Sequence, residues 1–113
     1  MKHKTAELEG DALDYLVQCA EHGENPLVSV VAWAAENDDG FNPSTNWEQG
    51  GRIIERERIS VSSELKGGIG DPLKQRFWFA TYDGDLHSSG PTVLIAAMRE
   101  YVASKLGDEV ELP

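Results

Sequence analysis

The feature that most constrains the fold is an apolar stripe near the end of the chain. Leu94, Ala97, Met98, Tyr101, Val102 and Leu106 recur every three or four residues, and Ile95 widens the stripe. That period predicts a helix from about Pro91 to Leu106. Its start is marked by Ser88-Ser89-Gly90-Pro91-Thr92, with Pro91 in the first turn or Thr92 as the cap. Gly107 supplies a C-terminal cap, and Lys105 complements the negative end of the helix dipole. Arg99, Glu100, Ser104 and Lys105 fall on the side expected to face water. A helix with one apolar face needs other elements to bury it, so the rest of the chain must provide a packing surface.

Those elements can be read in order. Lys2 to Lys4 suits a short strand. Thr5 reads as the N-cap of a first helix, with Leu8, Ala12, Tyr15, Leu16 and Cys19 on its apolar face. Asp11, Asp14, Gln18 and Glu21 take the other face; Gly10 lies inside, and His22-Gly23 ends the helix. Leu27 to Trp33 predicts a buried strand, rich in valine. Glu36 to Gly51 reads as a long loop. Ile53-Ile54 and Ile59-Ser60-Val61 suggest short strands, divided by Glu55-Arg56-Glu57-Arg58. Lys66 to Pro72 is a glycine-rich connection; Gln75 to Tyr82 is a strong strand, and Asp83-Gly84 opens a turn. Val110-Glu111-Leu112 adds a short edge strand. The expected fold is α+β, with two helices packed on one face of an antiparallel sheet of three to five strands. Residues 1–113 make one domain.

Charge narrows the function classes. The chain of 113 residues has 20 acidic and 10 basic side chains, for a net charge of −10. Residues 1–39 hold nine acids and two bases, whereas residues 40–79 hold five acids and six bases. Binding to DNA or RNA phosphates rests on Lys and Arg, so no direct nucleic-acid binding is expected. The balance suits solubility or docking onto a basic protein surface. The longest apolar stretch, Leu27 to Ala35, is interrupted by Ser29 and too short to span a bilayer, so no membrane association is expected. No apolar h-region follows Met1-Lys2-His3-Lys4-Thr5, and Cys19 has no second cysteine to pair with; both fit a reducing cytoplasm. With 40% hydrophobic residues the core is thin, which leaves a homodimer open.

Catalytic and metal chemistry find little support. His3, His22 and His87 do not pair with Cys19 at ligand spacing, and no metal or cofactor is expected. Asp83-Gly84-Asp85 lacks the later ligands of a calcium loop and reads as a turn. Cys19 lies on an apolar helix face without a basic neighbour and reads as core. No G-x-S-x-G surrounds Ser44, Ser88 or Ser89. Gly67-Gly68-x-Gly70 leads into a strand rather than a helix, which is the wrong context for a phosphate cradle. The chain is therefore expected not to be an enzyme.

The most unusual segment runs from Asn42 to Arg52. Trp47 can act as a stacking platform, Asn46 and Gln49 as hydrogen-bonding groups, and Arg52, with Arg56, as an anion contact. Gly50 and Gly51 complete the candidate site. The other reading has Trp47 folded back over one end of the core, with Gly50-Gly51 making the turn.

Three stretches resemble a phage-encoded family, the NinX-like proteins. They are Pro43-Ser44-Thr45-Asn46-Trp47 with Gln49-Gly50-Gly51 and Ile53-Ile54-Glu55-Arg56-Glu57; Gly90-Pro91-Thr92 with Leu94 to Arg99 and Tyr101 to Val110; and Lys4-Thr5-x-x-Leu8 leading to Ala12-Leu13-Asp14. Together they cover about half the chain. Arg52 departs from the family's usual proline after the glycine pair, and residues 62–80 match nothing in it. The resemblance implies an accessory product of a tailed phage or prophage, made in the bacterial cytoplasm, with no activity or catalytic residues to carry over. The expectation is a non-enzymatic protein that binds a host or phage protein. The alternative is a small-molecule, nucleotide-like site on the Trp47 loop.

Overall fold

The structure, a computed structural model, describes residues 2–23, 25, 40–66, 75–82 and 87–112. The strand expected at 27–33, the connection at 67–72 and the turn at 83–84 lie outside the described residues. The α+β class holds, and the strand pairings described are antiparallel. Among the described residues there are three α-helices rather than two, and the strands form two sheets rather than one.

The chain ends pair first. Strand β1 (Lys2–Lys4) runs antiparallel to β5 (Glu109–Glu111), with Lys2 opposite Glu111 and Lys4 opposite Glu109. Opposite charges in register favour this pairing by about 0.2–1 kcal/mol each. His3 faces Val110 between them, and Val110 is buried. Thr5 starts a 3-10 turn rather than the first helix. Its hydroxyl donates to Gly107 O at 2.7 Å and its amide to Asp108 O at 2.8 Å. A residue needed to fasten the chain ends is not free to cap a helix.

Helix α1 (Gly10–His22) therefore begins one turn later than expected. Gly10 opens it at φ 62°, a left-handed conformation that glycine tolerates. Gly23 closes it at φ 65°, as the sequence predicts. Leu13, Leu16, Val17 and Cys19 are fully buried.

The largest correction falls on residues 47–57. They form helix α2 (Trp47–Glu57), not the end of a loop followed by an Ile53-Ile54 strand. Asn46 caps it, its side chain accepting from Glu48 N at 2.9 Å and Gln49 N at 3.3 Å. Gly50-Gly51 lie within the helix and make no turn. Strands β2 (Ser60–Lys66), β3 (Gln75–Thr81) and β4 (His87–Gly90) then form an antiparallel meander in that order. Residues 88–90, expected to open the last helix, belong to β4.

Helix α3 (Val93–Leu106) is the centre of the molecule and touches α1, α2, β3 and β4. Thr92 is its cap, accepting from Ile95 N at 3.1 Å. Its burial extends beyond the predicted stripe: Arg99 and Glu100, expected to face water, are buried. Arg99 is satisfied by two carbonyls, Nε donating to Leu8 O at 2.7 Å and Nη1 to Ser89 O at 2.8 Å. The Ser88 hydroxyl donates to Glu100 Oε1 at 3.3 Å.

Two glycines admit the first turn of α3. A Cβ at Gly90 would lie 2.9 Å from Ala96 N. A Cβ at Gly50 would lie 2.6 Å from Leu94 Cδ2 and collide with Pro43 O. At Gly51 the nearest atom, Trp47 Cε3, would be 3.6 Å away, an ordinary contact. Replacing either glycine of the pair by alanine relieves the same helix penalty, roughly 1 kcal/mol. Only Gly50→Ala adds overpacking, typically about 1–3 kcal/mol. Gly51→Ala is therefore expected to raise stability in urea denaturation, and Gly50→Ala to lower it. Equal shifts in the two variants would refute the close approach at Gly50.

Candidate functional site

Two helix starts meet beside Trp47. The turn at 43–45 leads into α2, and Pro91-Thr92 leads into α3. Between them is an open cleft of about 240 Å³. Ser44, Thr45 and Trp47 line one side, and Thr92 to Ile95 line the other. Trp47 is 61% exposed, so it does not fold back to cover the core. Its ring reaches along its own helix toward Gly51, where no side chain crowds it.

The remaining predicted site residues separate into four groups. Asn46 and Gln49 support the local fold: Asn46 caps α2, while Gln49 Oε1 accepts from Asn42 N at 2.7 Å and Gln49 Nε2 donates to Gly40 O. Gly50 is buried against Pro43 and Leu94, and Gly51 lies under the indole. Arg52 is exposed and makes a 3.4 Å pair with Glu48, one helical turn away. Of the predicted set, Trp47 alone is among the residues that line the cleft.

Arg56 belongs to a separate polar cluster. Its guanidinium donates to Glu21 Oε1 at 2.9 Å, Glu57 Oε2 at 3.0 Å and the Tyr101 hydroxyl at 3.2 Å. It also stands 5.8 Å from the centre of the Tyr101 ring. Tyr82 donates to Glu57 Oε1 at 3.2 Å, and Lys105 pairs with the same oxygen at 3.6 Å. The hydrogen bond to Glu21 holds Arg56 protonated, and that from Arg56 holds Glu57 below the usual carboxylate range. Burial pushes the Tyr82 hydroxyl up to about 12 and raises Tyr101. These groups join α1, α2, α3 and the residue after β3 through mutual contacts, the signature of a structural brace.

Residues 92–95 of the cleft wall were not among the predicted site residues, because an apolar first turn reads as core. Ser44 was missed as well. Its amide donates to Asp14 Oδ1 at 2.8 Å, which ties the turn to α1. Its hydroxyl is buried without a hydrogen-bond partner among the described residues. Asp14, expected on the solvent face of α1, is buried at this contact. Among the described residues no group of three or more His, Cys, Asp or Glu side chains could hold a metal, and Cys19 is buried in the core.

Burial raises the Asp14 carboxyl above its ordinary 3.8, opposed by the hydrogen bond from the Ser44 amide. A carboxyl raised in the folded state favours folding when protonated, and that contribution is lost as pH rises through its folded pKa. Relative to Asp14→Asn, the wild-type chain should therefore gain stability as pH falls from about 7 to about 4. Parallel urea melts across that range check this, and a constant difference between the two proteins would contradict it.

A search of curated proteins finds no match for the chain. A family model described as "Bacteriophage P22, NinX" matches residues 4–105, including the stretch at 62–80 where no resemblance was visible. The match covers most of the sequence, from the 3-10 turn through the last turn of α3, and the chain belongs to the phage NinX family.

Proposed function

We propose that this phage accessory protein acts by binding a host or phage protein in the bacterial cytoplasm, without catalysing a reaction. The observation that carries the reading is Trp47: a large aromatic side chain, 61% exposed, at the fixed start of a helix and beside an open cleft. Tryptophan is enriched among the few residues that dominate protein interfaces. Its position on a capped helix fixes the backbone that carries the ring, which lowers the ordering cost of association.

The nucleotide-like reading uses the same indole but has less support. Asn46 and Gln49 are engaged within the fold, and about 240 Å³ falls below the roughly 300–1,000 Å³ usual for small-molecule sites. The absence of a recognisable catalytic constellation in the sequence supports the non-enzymatic part of the proposal.

Affinity capture from bacterial lysate tests it. The wild-type chain should retain a protein that Trp47→Ala binds at least about tenfold more weakly, the loss expected for an interface anchor. Circular dichroism should show the variant folded, since the replaced side chain lies mostly outside the core. Capture unaffected by Trp47→Ala, together with nucleotide-dependent thermal stabilisation of the wild type, would favour the alternative.

A further inference from the structure

Charge indicates what the cleft can receive. Its lining is largely apolar, from Trp47 and residues 93–95, so the part that enters it must be apolar too. Two exposed acids, Glu48 and Asp11, stand near it. Glu48 follows Trp47 and is 77% exposed, held by an exposed pair with Arg52 that a partner can displace. Behind Ser44, Asp14 holds the Ser44 amide, and Asp11, one turn earlier on α1, is exposed and acts on Asp14 through space. Two helix N-termini oppose this, each carrying about half a positive charge, but Asn46 and Thr92 cap them. Against a net charge of −10 these partial charges are small.

The same charge decides between occupants. A second copy would bring another chain of net charge −10, and nucleic acid or an anionic lipid surface would be repelled likewise. A basic protein is attracted. Resting on the protein-binding reading above, we infer that the cleft takes an exposed segment of a basic partner protein, with one aliphatic or aromatic side chain set between Trp47 and the first turn of α3 and flanking Lys or Arg side chains facing Glu48 and Asp11. The cleft volume of about 240 Å³ suits one or two such side chains and limits the anchor to a short segment.

A random linear peptide library displayed on yeast tests this when selected on the wild-type chain and counter-selected on Trp47→Ala. Enriched sequences should carry one large apolar residue with at least two Lys or Arg nearby. Synthetic versions should bind at least tenfold more weakly to Trp47→Ala, and should weaken again as salt rises from about 50 to about 500 mM. Enrichment of acidic or neutral sequences, or Trp47-dependent binding that ignores salt, would overturn the inference. A lysate partner lost in Trp47→Ala but insensitive to salt would keep the proposed function and remove this inference. No Trp47-dependent binding by either route would remove both.

Discussion

Burying Arg99 is the condition on which this fold depends. Desolvating a guanidinium costs several kcal/mol unless its donors are satisfied. Here two of them meet Leu8 O and Ser89 O, one before α1 and one in β4. Burial lowers the guanidinium pKa, and the nearby Glu9 charge opposes the change. One side chain on α3 thus joins the N-terminal segment to the sheet, across sequence separations of 91 and 10 residues. With Arg99 and Glu100 hydrogen-bonded, α3 can be surrounded by other elements instead of lying on the surface with one face wet.

A central helix requires close neighbours, and the glycines reflect this. Gly90 lets β4 approach the first turn of α3, and Gly50 lets α2 do the same from another side. Pro43 is fully buried beneath Gly50, and the Asp14–Ser44 bond fixes the turn that carries it. The cleft beside Trp47 is what remains open where α2 and α3 begin side by side. The backbone of its walls is set by the same packing that stabilises the core.

The sequence shows α3, its Gly107 cap, strand β3 and most of α1, because each has a repeating apolar pattern or a clear terminus, and it offers Thr92 as one of two starts for α3. It misleads at α2. Gly50, Gly51, Ile53 and Ile54 are all weak helix formers, and propensity points to loop and strand. Tertiary contacts reverse that preference: Gly50 is needed where Pro43 and Leu94 press on the helix, and Ile53 enters the core. A signal was present in Asn46-Trp47-Glu48-Gln49, a cap residue with glutamine three positions later. Gln49 departs from the usual box, bonding to Asn42 and Gly40 instead of the cap. Arg99, Glu100 and Asp14 were misplaced because their partners are backbone groups or a serine distant in sequence, which periodicity cannot reveal.

The candidate site shows the same limit. Trp47 could be picked out from composition, but its neighbours in sequence proved to be scaffold, and its neighbours in space come from Thr92 to Ile95. Two of the stretches that carry the family resemblance, around Pro43–Glu57 and Gly90–Val110, are therefore the two that build the cleft. The last helix has a dual place in this arrangement. Residues 96–102 are core, whereas the first turn also lines the cleft beside the indole. Packing of Gly50 against Leu94 holds those two parts of the chain together. A change that loosens this contact would alter core and cleft at once, so the shape of the cleft is coupled to the stability of the fold.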